Sequence, residues 1–165
     1  MLLLKWTQKL CFGYLICICS ASHAVTSHDF FATTLSILGY VQWSNAHPQL
    51  CVVNHTESTS TFKKLIDLHH YPYRVVNVST QPPSFCDAIF FSDLSPQQEQ
   101  KILSHASMPL LSISANNRDC EVGSAFCLYQ RNQRTSFKVN MESLTRSKIH
   151  IDPRVLLLSK AMELK

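Results

Sequence analysis

Residues 88–113 read AIFFSDLSPQQEQKILSHASMPLLSI, and this stretch decides the fold class. Ala88-Ile89-Phe90-Phe91 is a continuous apolar run with no alternation, as in a strand covered on both faces. Ser95-Pro96-Gln97-Gln98 then starts a helix. The Ser95 hydroxyl suits the cap, Pro96 suits the first turn, and Gln98 can reach back to complete a capping box. The helix carries Ile102, Leu103 and Ala106, and Pro109 stops it. Leu110-Leu111-Ser112-Ile113 follows as another buried strand. A strand, a short crossover helix and a second buried strand imply parallel pairing.

The flanking sequence repeats the pattern. Upstream, Leu50-Cys51-Val52-Val53 and Arg74-Val75-Val76-Asn77-Val78 read as strands. Between them, Thr56 to His70 places Phe62, Leu65, Ile66 and His69 at helical spacing behind a Ser/Thr-rich start suited to capping. Before them, His28 to Trp43 is predicted as one buried helix, with Phe31, Leu35 and Leu38 on one stripe and Gly39 inside it. Downstream the style changes. Ala125–Tyr129 and Thr135–Asn140 read as strands joined by the polar stretch 130–134, a hairpin. Asn140 and Asp152 resemble helix caps, and Pro153 precedes a final leucine-rich helix (Leu156, Leu157, Leu158). The expected fold is a single compact α/β domain, with a mixed, mostly parallel sheet flanked by helices and a C-terminal hairpin.

Composition excludes several functions. The chain has 165 residues, and only three are glycines: Gly13, Gly39 and Gly123. Phosphate-binding loops need glycines close together, and the nucleophile elbow needs one on either side of its serine, so these motifs cannot be written here. Net charge is +4, and no Lys/Arg run exceeds Lys63-Lys64, so no nucleic-acid partner is expected.

Residues 1–24, MLLLKWTQKLCFGYLICICSASHA, read as a secretory signal peptide cleaved after Ala24. Lys5 and Lys9 form a basic start, Leu10 to Cys19 an apolar run, and Ser22-His23-Ala24 a cleavage site. The apolar run is short for a bilayer span, which takes about 20 residues. The domain then comprises residues 25–165 and keeps Cys51, Cys86, Cys120 and Cys127. An even cysteine count in an exported protein predicts two disulfides. Of three possible pairings, one is favoured. If the strands beginning near Cys51 and Cys86 are parallel neighbours, those residues lie within bridging distance. Cys120 and Cys127 flank a turn with Gly123 and can close locally.

No catalytic set emerges. There is no C-x-x-C and no spaced His pair, and His69-His70 project about 100° apart on a helix. Disulfide pairing leaves no thiol for a Cys/His hydrolase, and Asp119 and Glu121 sit in a cysteine loop rather than as paired catalytic acids. Asn54-His55-Thr56 and Asn77-Val78-Ser79 match a glycosylation pattern that is common by chance. No cofactor and no metal are expected. Tyr40, Trp43, Tyr71 and Tyr73 are candidate packing or contact aromatics. Ile149 to Leu158 is too apolar to be covered by one helix face, which makes it a candidate partner patch or dimer seam. The candidate partner-binding residues are Tyr40, Trp43, Ile151, Val155 and Leu158.

These segments together resemble the YfiR family of periplasmic regulators. The resemblance rests on Gly123-Ser124-Ala125-Phe126-Cys127-Leu128, Phe137-Lys138-Val139-Asn140, Leu144-Thr145-Arg146-Ser147 and residues 149–158. It extends to Ile37-Leu38-Gly39-Tyr40-Val41-Gln42-Trp43, Leu50-Cys51-Val52-Val53 and Cys86-Asp87-Ala88-Ile89-Phe90-Phe91. It implies a non-catalytic α/β domain, often dimeric, with two intrachain disulfides from the four cysteines. It further implies binding to the periplasmic sensor part of a membrane-bound, YfiN-like diguanylate cyclase, which is held inactive so that cyclic di-GMP and biofilm formation stay low. An outer-membrane lipoprotein of the YfiB type would sequester the repressor, and redox state becomes an input. The rival readings are a periplasmic small-ligand-binding module, using a cleft at the C-terminal ends of the parallel strands, and a secreted hydrolase without a recognisable motif.

Overall fold

The computed structural model describes residues 28–80, 84–107, 109–132 and 134–163. The expected signal peptide, residues 1–24, lies outside the described residues. The elements run α1 (His28–Leu38), β1 (Gln49–Val53), α2 (Thr56–His69), β2 (Arg74–Val78), β3 (Ala88–Phe91), α3 (Pro96–Leu103), β4 (Leu111–Ser114), β5 (Phe126–Arg131), β6 (Arg134–Val139), α4 (Met141–Ser147) and α5 (Val155–Glu163). They form a six-stranded sheet in the order β2-β1-β3-β4-β5-β6. β2, β1, β3, β4 and β5 are mutually parallel, and β6 returns antiparallel beside β5. The predicted mixed sheet with a terminal hairpin is the observed one.

The continuous apolar strands divide their side chains between two cores, as the two-residue pleat requires. Leu50 and Val52, Ala88 and Phe90, and Leu111 and Ile113 face α1, α2 and the start of α5 in the larger core. Cys51 and Val53, with Ile89 and Phe91, face Leu103 of α3 in the smaller one. Phe31, Phe62 and Phe90 lock α1 and α2 onto the sheet. The Phe31–Phe62 and Phe62–Phe90 ring pairs meet edge to face at 4.8 and 5.0 Å, the arrangement favoured by the ring quadrupoles.

Several boundaries differ from the sequence reading. α1 ends at Leu38, not Trp43. Gly39 is therefore not inside the helix but just beyond it. The turn tightens through Tyr40 N–H to Ile37 O and Val41 N–H to Leu38 O, at 3.0 and 3.2 Å. Residues 150–152 then capture this backbone. Gln42 N–H donates to His150 O at 3.0 Å, Asp152 N–H donates to Tyr40 O at 2.8 Å, and Val41 bridges Ile151. A sequence-distant segment thus outcompetes continued helix.

The cap of α2 is not one of its Ser/Thr residues. His55 Nδ1 accepts the Ser58 N–H at 3.1 Å, while the Thr59, Ser60 and Thr61 hydroxyls donate to carbonyls one turn back. α3 has the predicted capping box between Ser95 and Gln98. Asn140 caps α4 by accepting the Ser143 N–H at 3.0 Å. The Asp152 carboxylate accepts the Arg154 N–H at 2.8 Å in the turn leading into α5. The hairpin strands continue to Arg131 and resume at Arg134, so its connection is shorter than expected.

Both disulfides have the favoured pairing. Cys51–Cys86 spans 5.8 Å between Cα atoms and Cys120–Cys127 spans 5.7 Å. The first works because β1 and β3 are parallel neighbours. It ties the middle of β1 to the approach to β3, within the smaller core.

Candidate functional site

Tyr40, Trp43, Ile151, Val155 and Leu158, separated by more than a hundred residues of chain, pack against one core. The backbone pairing of residues 40–42 with 150–152 brings the two segments together. Tyr40, Trp43, Ile151 and Leu158 are half-buried and keep part of their surface in solvent. Val155 differs: it is 2% exposed and belongs to the interior. The parts of α5 turned to water are Leu156 and Leu157, at 51% and 57% exposure. Ser159 Oγ lies 3.1 Å from Ser136 Oγ of β6 and helps seat the helix on the sheet.

Trp43 is fixed by its indole N–H, which donates to Leu38 O at 3.0 Å. Beside it, Tyr73 is buried, and burial raises its phenol above the usual tyrosine range, partly offset by the Trp43 indole. The Tyr71 and Tyr73 rings stack with centroids 5.9 Å apart, and His69 meets Tyr71 at the same separation. At the rim, the Arg154 side chain donates to the Asp152 carboxylate, with Nε at 2.8 Å. That hydrogen bond holds Asp152 below the usual carboxylate range and Arg154 above its own. The result is an aromatic and aliphatic face with one neutralised ion pair, suited to protein contact.

A second feature lies at the opposite ends of the strands. β1 leads to α2 on one face of the sheet and β3 leads to α3 on the other, so the crossovers diverge there. A cleft of about 280 Å³ opens at this point, lined by Phe30, His55, Ser58, Phe90, Ser92 and Ala115. Ser58 Oγ and Ser92 Oγ lie 2.8 Å apart across it. Such divergence points are where open α/β sheets hold ligands.

The sequence reading missed Glu99. It is the one buried charged side chain among the described residues, at 0% exposure. Glu99 Oε1 accepts from Ser114 Oγ at 2.5 Å. Oε2 accepts from Asn117 Nδ2 at 3.1 Å, from Ser124 N–H at 3.1 Å and from Ser124 Oγ at 2.9 Å. Burial raises its carboxyl above the usual glutamate range, opposed by those hydrogen bonds. One available signal was its position four residues before Leu103, on the apolar stripe of α3.

Gly123 makes this network possible. Its φ is +91°, and a Cβ there would fall 2.6 Å from Glu99 Oε2 and 3.0 Å from Pro96 O. Gly123→Ala is expected to cost about 2–5 kcal/mol, combining left-handed strain with overpacking. Urea unfolding of the oxidised protein measures it, and a loss below about 1 kcal/mol would show that this contact yields easily.

Residues 31–160 match the family model described as YfiR/HmsC-like. The chain belongs to the YfiR/HmsC-like family. At family level its members are periplasmic, regulatory rather than catalytic, and tied to diguanylate cyclase signalling. The two disulfides accord with export to an oxidising compartment. Among the described residues, no three of His, Cys, Asp or Glu gather as a metal site.

Proposed function

We propose that this protein, after loss of residues 1–24, acts as a disulfide-stabilised regulator that docks on the periplasmic sensor part of an inner-membrane diguanylate cyclase. Docking holds the cyclase inactive, lowering cyclic di-GMP and biofilm formation. It requires no bond-making by this chain and no cofactor. The observation that carries the reading is the family match across residues 31–160. A YfiB-type outer-membrane lipoprotein is the proposed sequestering partner, and a homodimer the proposed working form. The proposed contact face comprises Tyr40, Trp43, Ile151 and Leu158, extended by Leu156 and Leu157. Val155 supports this face from within.

Deletion of the gene, followed by measurement of cyclic di-GMP and surface attachment, tests the role. Both are expected to rise, and unchanged cyclic di-GMP sinks the repressor reading. Leu156→Asp and Leu157→Asp test the face. Each exposed substitution is expected to leave stability within about 0.5 kcal/mol, while recovery of the cyclase from membranes by the oxidised protein falls at least about tenfold, the effect of losing roughly 1.4 kcal/mol of binding. Undiminished recovery by both variants would remove α5 from the interface.

The cleft between His55, Ser58 and Ser92 favours a second reading, a module that responds to a small ligand. Stabilisation by a bound ligand grows with its concentration over Kd, so a thermal-shift screen of small metabolites tests it. A screen with no ligand-dependent shift rejects that reading without touching the first.

A further inference from the structure

Glu99 joins three parts of the molecule that the chain keeps separate: α3, the end of β4 and the loop closed by Cys120–Cys127. Its partners Ser114, Asn117 and Ser124 are all uncharged. The ionisable groups of the surrounding elements stay at the surface: Asp93 before α3, Lys101 on α3, His105 beyond it, Arg118 and Asp119 just before the loop, Glu121 on it, and Lys138 on β6. On α4, Glu142 and Arg146 pair with each other. An ionised Glu99 therefore has four hydrogen-bond donors and no counter-charge, in a site closed to water.

The protonated form fits the same heavy atoms. A proton on Oε1 donates to Ser114 Oγ, which also accepts the Asn116 N–H at 3.1 Å, so the Ser114 hydroxyl gives up its bond to the carboxyl while Oε2 still accepts from Asn117 and Ser124. Loop opening would rehydrate the carboxylate while the Cys120–Cys127 bridge holds the loop's ends. The movement would reach α4, since Ser143 Oγ donates to Gly123 O at 2.7 Å. It would also shift Val122, which is 43% exposed beside that contact.

We propose that Glu99 is a proton-operated latch: uptake of a proton closes the Cys120–Cys127 loop against α3, and its loss loosens the loop. The sign follows from burial, which places the closed-loop pKa of Glu99 above its open-loop value. Closure is then strongest below the open-loop pKa and weakens as pH rises through the closed-loop pKa. Each unit separating the two values changes the closure equilibrium tenfold.

Amide hydrogen exchange on the oxidised domain, corrected for intrinsic rates, tests this between about pH 4.5 and 8. Protection of the Gly123 and Ser124 amides is expected to fall severalfold as pH rises, while the Val52 amide in β1 changes little. In Glu99→Gln the amide oxygen takes the place of Oε2 and the amide NH₂ faces Ser114, mimicking the protonated latch. Protection there is expected to be high and independent of pH. Equal pH slopes in the variant and the unmodified protein overturn the proposal, as does parallel loss at Val52. Should the variant not fold, a carbon-13 carboxyl titration of Glu99 in the unmodified protein decides. A midpoint above the ordinary glutamate range supports the latch, and one at or below it overturns it.

Discussion

Val155→Asp is expected to destroy the native packing of the C-terminal third of the protein. Val155 is 2% exposed and lies in the larger core at the first residue of α5. Aspartate there loses the burial of a valine, about 1.5–3 kcal/mol, and places an unpartnered charge in an apolar site, a change in the exceptional class above about 4 kcal/mol. The combined loss rivals the whole stability of a typical domain, about 5–15 kcal/mol. Circular dichroism and urea unfolding check it. A variant that unfolds cooperatively at nearly the original urea concentration would show that α5 is not needed by the core. The contrast with Leu156→Asp and Leu157→Asp is the informative part. Neighbouring leucines on the same helix meet water, while Val155 is enclosed in the core. Aspartate at Val155 therefore cannot serve as a test of partner binding.

Replacing Cys51 and Cys86 together by serine is the second large effect. The bridge closes a separation of 35 residues, and the loop-entropy relation gives about 4 kcal/mol for its removal. Both residues are also buried in the smaller core, so two new hydroxyls add a desolvation cost of roughly 1–3 kcal/mol each unless they find partners. The Cys120–Cys127 bridge spans only seven residues, and its removal is expected to cost about 2.5 kcal/mol. Urea unfolding of both serine pairs, beside the oxidised protein, checks the order. Equal losses for the two pairs would mean that loop length does not govern the stabilisation, and a loss below about 1 kcal/mol for Cys51/Cys86 would refute the estimate.

Much of this architecture was readable because it is local. The runs around Leu50 and Ile89 are apolar on both faces, and only a strand between two helical layers needs that. Ser95, Pro96 and Gln98 mark a helix start through groups that lie within four residues of one another. The disulfide pairing followed once β1 and β3 were taken as neighbours. The errors were of the other kind. Helical periodicity runs on through Tyr40 and Trp43, but residues 150–152 claim that backbone for a β-bridge. Apolar character at Val155, Leu156, Leu157 and Leu158 is nearly uniform, so the pattern could not separate the buried member from the exposed pair. Glu99 has no motif at all. Its three partner residues lie 15, 18 and 25 positions away and are ordinary Ser and Asn residues.

Periodicity, capping chemistry and cysteine count were enough for the layered α/β plan, the helix starts and the covalent framework, because each depends on neighbours in the chain or on counting. Which aromatics share a face, which leucines meet water and why one glutamate is enclosed were decided only in the folded molecule. Those properties arise where segments far apart in sequence exclude solvent from each other, and burial is a property of the assembled surfaces rather than of any residue taken singly.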